Sequence, residues 1–203
     1  LMDYSESMLR KRIAAIPDGE YRAEGFLDDD GRTRGKTLPV KVCVRIDGDS
    51  AEVDLTGSSP QVATAFNVPF EGSTKVACYF AFRAVLLDSA TISEHVPQNE
   101  GSFRPIKVTA PLGSIFNPIY PAAAEARFNQ IQRVVDCIIK ALAPVIPDKI
   151  TAGCSADVSA IAYSGVRQEG NYWVFIEVNE GAYGGRPESD GPDGIEELMR
   201  NTR

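Results

Sequence analysis

The sequence predicts an α+β fold in which antiparallel β-hairpins pack with two long helices. Three observations carry this. Leu38, Val40, Val42, Val44 and Ile46 alternate strictly with Pro39, Lys41, Cys43 and Arg45, the period of a strand with one buried and one wet face. Phe128, Ile131, Val135, Ile138 and Leu142 recur at alternating steps of three and four, one face of a helix. The order hairpin, helix, strand, helix, hairpin is not that of a parallel βαβ array.

The elements follow in order. Asp3 with Glu6 resembles a capping box ahead of Leu9, Ile13 and Ile16, and Pro17-Asp18-Gly19 ends that helix. A strand is expected over 20–27, then an acidic turn at Asp28-Asp29-Asp30-Gly31. Asp47-Gly48-Asp49 turns the 38–46 strand into a second one carrying Ala51, Val53 and Leu55. Residues 73–88 are apolar nearly all round and read as a buried helix. A short strand is expected over 105–110 and the second long helix over 122–143, stopped by Pro144 and Pro147. Strands over 154–163 and 171–178 form the last hairpin, and a short helix is expected after Gly194.

Composition narrows the function. With 21 basic against 28 acidic residues the net charge is −7, and the pI is near 4.8. That balance excludes nucleic acid and anionic membrane as partners, which require a basic footprint. No apolar run approaches the ~20 residues of a membrane span, and four cysteines read as free thiols lead to the expectation of a cytoplasmic protein. Cys43, Cys78, Cys137 and Cys154 form no CxxC motif and read as reduced, buried or half-buried thiols. Cys43, on the wetter side of its strand, is expected to be the most reactive. A single histidine, His95, excludes a multi-histidine metal site within this chain, and no metal ligands are assigned.

Two loops could carry chemistry. The stretch 181–194 holds five glycines in 14 residues, which permit close backbone approach to a ligand. Within it Arg186 can fork onto a carboxylate or phosphate-like group, and Asp190 and Asp193 can accept hydrogen bonds or touch a hard cation. These three are the candidate catalytic residues, although a turn-rich surface connection is the commoner source of such composition. Asn99 and Glu100, in the polar loop beside His95, and Glu177, on the strand leading into the Gly-rich loop, are the candidate substrate contacts. Arg127, Arg133 and Asp136 fall on the polar side of the second long helix and read as surface charges.

Taken in order, several blocks resemble the hydantoinase B/5-oxoprolinase family. They are Tyr4-Ser5-Glu6, Pro17-Asp18-Gly19-Glu20-Tyr21, Asp54-Leu55-Thr56-Gly57-Ser58-Ser59-Pro60-Gln61, Asn99-Glu100-Gly101-Ser102-Phe103-Arg104-Pro105-Ile106 and Pro111-Leu112-Gly113-Ser114. The series ends with Gly184-Gly185-Arg186-Pro187, Asp190-Gly191, Asp193-Gly194 and Asn201-Thr202-Arg203. The resemblance implies that residues 1–203 are an interior portion of a B-type polypeptide, with a β-hairpin region over 1–60 and a mixed region over 61–203. It implies a hydantoinase A-type partner that uses ATP to activate a small cyclic amide of the hydantoin or 5-oxoproline type, and an oligomeric assembly. It places ATP on the partner and a divalent metal in a region preceding this segment, leaving this chain without a cofactor and inactive alone. Glu196, Glu197 and Leu198 stand where some oxoprolinase-like members have histidines, closer to hydantoin-utilising or carboxylase branches. The alternatives are a component of an ATP-dependent ketone carboxylase and a non-catalytic assembly domain.

Overall fold

The computed structural model describes residues 1–88, 92–154, 158–182 and 184–191. Helix α1 (Met2–Ile13) buries Ser5, Met8, Leu9 and Ile13 and carries Arg10, Lys11 and Arg12 in its last turn, where cations meet the negative end of the helix dipole. The expected capping box does not form. Leu1 is the N-cap and no side chain caps it, because Asp3 and Glu6 both reach Arg104 instead, each at 2.9 Å. Behind that clamp Ser5 is fully buried. Its hydroxyl donates to the Pro97 carbonyl at 3.1 Å and accepts from the Asn99 amide at 2.9 Å. A Cβ on Gly101 would stand 2.0 Å from the Met2 carbonyl oxygen, so only glycine lets α1 seat against the 3₁₀ turn Glu100–Phe103.

Strands β1 (Gly19–Leu27), β2 (Leu38–Asp47) and β3 (Ser50–Asp54) form an antiparallel meander, and β4 (Ile106–Thr109) completes a sheet of order β1-β2-β3-β4. The β2–β3 turn is tight because Gly48 takes a φ of +57° and donates its N–H to Asp18 at 2.8 Å. Strand β4 runs parallel to β3. A long crossover through α2 (Lys75–Leu86) supplies that direction. On the outer face Glu20, Arg45, Glu52 and Lys107 lie in register across all four strands. Each neighbouring pair in that row is an ion pair, so the alternation of charge sign is built across the strands as well as along them. In the acidic turn Asp29 and Asp30 accept backbone N–H groups from Gly31, Arg32, Thr33 and Gly35. The bonds from Thr33 and Arg32 hold the Asp30 carboxyl below its ordinary range.

A π-helical turn, Phe70–Thr74, leads into α2. That helix buries Ala77, Cys78, Ala81, Phe82, Val85 and Leu86 but leaves Val76 exposed. Tyr79 stacks on Phe103 with ring centroids 4.6 Å apart. Helix α3 (Phe128–Leu142) starts later than its periodicity suggests. Residues 122–127 are irregular because their backbone bonds go sideways. The Ala123 carbonyl accepts from the Asn67 backbone and side chain, and the Ala126 N–H donates to Ala65. The inner faces of β1 and β2, the helices α2 and α3, and α1 share one core that includes Leu9, Val40, Val44, Phe82 and Ile138.

Beyond a 3₁₀ turn at Pro147–Lys149, β5 (Val158–Val166) and β6 (Tyr172–Glu180) form a separate antiparallel hairpin. Both lie slightly later than expected, since Gly170 at φ +84° and the Arg167–Asn171 bond set the turn. Residue 193 and the helix expected after Gly194 lie outside the described residues. The Gly101 contact yields a direct test. Gly101→Ala should lower stability by about 1–3 kcal/mol or more, as forced overpacking does, read as a fall in Tm. An unchanged Tm would contradict the close seating of α1.

Candidate functional site

The C-terminal half of α3 and the edge strand β1 enclose a cavity of about 470 Å³ with the segment 150–153 and the start of the Gly-rich loop. Glycine shapes three of its walls. A Cβ on Gly25 of β1 would lie 2.7 Å from Arg133 Cδ and 3.0 Å from Cys137 Sγ, so α3 crosses β1 at a position without a side chain. A Cβ on Gly153 would approach an Asp136 carboxylate oxygen to 3.2 Å, and one on Gly184 would meet Ala152 at 2.5 Å. The Ala152 N–H donates to the Gly185 carbonyl at 2.8 Å, which fastens the loop to the 150–154 segment. Gly185 and Pro187 then line the cavity.

Asp136 is the central polar group. Its side chain is only 15% exposed, although its place on the polar side of the helix suggests a surface charge. The 150–154 segment folds over that side and covers it. Asp136 Oδ1 accepts the Cys154 backbone N–H at 3.4 Å, and the Cys154 thiol lies 3.5 and 3.7 Å from the two carboxylate oxygens. Arg133 reaches Oδ2 at 3.4 Å. Burial pushes the Asp136 carboxyl above its ordinary range, and the Cys154 bonds and the Arg133 charge offset this only in part. Lys140, one turn on, donates to the Glu24 carbonyl at 3.2 Å. The arrangement offers a carboxyl that can hold or release a proton toward a polar guest, flanked by two cations suited to a carbonyl or anionic group.

The sequence-predicted residues lie elsewhere or at the rim. Arg186 and Asp190 are exposed. Arg186 sits in a tight turn closed by its backbone bonds to Ser189, immediately between the cavity-lining Gly185 and Pro187. Asp193 lies outside the described residues. Asn99 caps the 3₁₀ turn through the Gly101 N–H and holds Ser5 of α1. Glu100 is exposed beside it, and Glu177 is exposed on β6. None of these three lines the cavity. Among the described residues no three His, Cys, Asp or Glu side chains come together to hold a metal ion, and no helix is long and apolar enough to cross a membrane.

The four cysteines are free and buried or half-buried, as expected, but Cys43 is not the accessible one. Cys43 does face outward, opposite Arg22 and Asp54, but it is only 7% exposed. Its neighbours cover it, and burial pushes its thiol up. Burial pushes Cys78 to about 12 and Cys137 to about 11. Cys154 is the one thiol of the four that is not buried. The Asp136–Cys154 pair escapes sequence reasoning because 17 intervening residues, with no recognisable spacing, separate the partners.

The raised Asp136 carboxyl has a thermodynamic sign. The folded state holds the proton more tightly than the unfolded state, so stability falls as pH rises from the ordinary aspartate range through the raised one. Asp136→Asn keeps an acceptor for Cys154 and removes that dependence. The Tm of the variant should therefore gain on the wild type as pH rises through this window. A difference in Tm that stays constant with pH would contradict the buried carboxyl.

The hydantoinase B/oxoprolinase family matches residues 1–203. The B subunit of a putative D-/L-hydantoinase from Pseudomonas sp. (strain NS671) is 47% identical over 207 residues, covering all of this chain and 34% of that protein. The ATP-dependent caprolactamase from Pseudomonas jessenii superimposes with a TM-score of 0.77 at 25% identity, over 94% of this chain and 32% of that one. An acetone carboxylase in its nucleotide-free state shares the fold, with a TM-score of 0.66 at 16% identity over 93% of this chain and 28% of that one. The chain thus spans about a third of the length of the first of these proteins. With blocks of motif in matching order, an α+β fold shared with two solved enzymes and identity sustained from end to end, the chain belongs to the hydantoinase B/oxoprolinase family.

Proposed function

We propose that this chain is part of the B-type component of an ATP-dependent cyclic-amide hydrolase that opens rings of the hydantoin or 5-oxoproline type. The observation that carries the reading is 47% identity to the B component of a hydantoinase across the whole chain. An A-type partner binds ATP and activates the amide, and the B-type polypeptide completes ring opening in the cytoplasm. A divalent metal is held by residues outside this chain, and the 203 residues alone are inactive.

Within this reading the cavity beside α3 is where a polar guest meets Asp136. Arg186 works from its rim, between Gly185 and Pro187, and Asp190 and Asp193 of the same loop are the further candidate catalytic residues. The guanidinium of Arg186 makes no ion pair with a described residue, although Asp190 and Glu177 are acidic groups near it in sequence. That leaves its planar fork available to a carboxylate or phosphate-like group. Asn99 acts through the seating of α1, where it holds Ser5, and Glu100 and Glu177 are substrate contacts outside this cavity.

Two measurements test the proposal. The full-length B-type polypeptide with its A-type partner should open hydantoins with ATP alone, and added bicarbonate should yield no carboxylated ketone. Bicarbonate-dependent carboxylation would move the protein to the ketone carboxylase class. In the same complex Arg186→Lys should preserve assembly and lose most turnover, since lysine lacks the planar fork. Turnover near wild type would remove Arg186 from the reaction.

A further inference from the structure

The β5–β6 hairpin breaks the rule that the rest of the molecule obeys. In the four-stranded sheet one face is apolar and the other carries Glu20, Arg22, Arg45, Glu52 and Lys107. In the hairpin both faces carry large apolar side chains, with Ser164 the polar member of one face and Glu177, opposite Ile161, the charged member of the other. Cross-strand partners share a face, so Val166, Tyr172, Val174 and Ile176 lie on one side, and Ile161, Tyr163, Trp173 and Phe175 on the other. All eight are exposed, from 37% for Trp173 to 67% for Val166 and Tyr172. Among the described residues β5 pairs only with β6 and β6 only with β5, so both edges are open as well. A two-stranded ribbon in water is marginal at best, and an apolar patch of this extent marks a buried surface. Strands that are apolar on both faces belong to the interior of a layered sheet.

We infer that β5 and β6 are interior strands of a larger sheet, flanked and covered on both faces by the remainder of a full-length B-type polypeptide. The choice of occupant rests on geometry and length. A second copy related by a two-fold axis docks one patch against the same patch. It covers one face or one edge and leaves the opposite face wet, and a single docked A-type partner does the same. Two faces and two edges need several segments. The Pseudomonas hydantoinase relative carries about twice as much chain outside the matched region as within it, since this chain covers 34% of it. The proposal is independent of the reaction catalysed, so failure of the hydrolase reading leaves it standing.

Hydrogen exchange on the full-length polypeptide tests it. Amides of 160–166 and 172–178 should be slowed on the order of a hundredfold or more relative to an unstructured chain. That protection should be the same at low and high protein concentration and without the A-type partner. Protection that grows with concentration, alongside a doubling of mass, would assign the surface to a second copy and overturn the proposal. Protection only after the A-type partner is added, or none at all, would overturn it equally. In the same polypeptide Ile176→Lys and Phe175→Lys, on opposite faces, should each lower Tm or soluble yield. Full tolerance of either one would show that its face is open to water.

Discussion

The crossing of α3 over β1 at Gly25 is the contact on which the organisation of the site depends. A side chain there would collide with Arg133 and Cys137, and the helix would have to lift from the sheet. With glycine in place, the C-terminal half of α3 lies low enough for the 150–154 segment to fold across it. Asp136 is then enclosed between helix and segment, and the Gly-rich loop is fastened on top through Gly185. Close packing of this kind is intolerant of added volume, so one absent side chain on an edge strand propagates to the placement of a carboxyl, a thiol and a loop.

The enclosure holds a charged group at a penalty. A carboxylate removed from water costs free energy unless hydrogen bonds and cations compensate, and here the compensation is partial. The Cys154 contacts are 3.4–3.7 Å, and Arg133 stands at 3.4 Å, all at the long end of useful geometry. The Asp136 carboxyl is therefore held above its ordinary range, the direction in which a general acid is tuned. Glu6, on α1, shows what full compensation looks like. It accepts from both Arg104 and Arg10 and is held below its ordinary range, and it serves the fold by fixing α1.

Much of this architecture was legible in the sequence. The strict alternation at 38–46, the helical steps at 128–142 and the Asp47-Gly48-Asp49 turn all appear at the expected places, because each is a local signal strong enough to fix its own element. The family motifs were legible as well. What escaped was decided by contacts distant in sequence. Asp3 and Glu6 look like a cap until Arg104 arrives to claim them. Asp136 looks like a surface charge until the 150–154 segment covers it. Cys43 looks wet until Arg22 and Asp54 close in from the neighbouring strands. The parallel placement of β4 likewise follows from a crossover that periodicity does not encode.

The site rests on one condition, that the α3–β1 crossing encloses a carboxyl whose titration is raised by burial. The most direct measurement is the carbon-13 titration of the Asp136 carboxyl in the folded protein. The structure predicts a midpoint above the ordinary aspartate value of about 3.9, because burial outweighs the Cys154 and Arg133 contacts. A midpoint at or below that value would show that water or a stronger partner reaches Asp136, and it would contradict the enclosure from which the site was built.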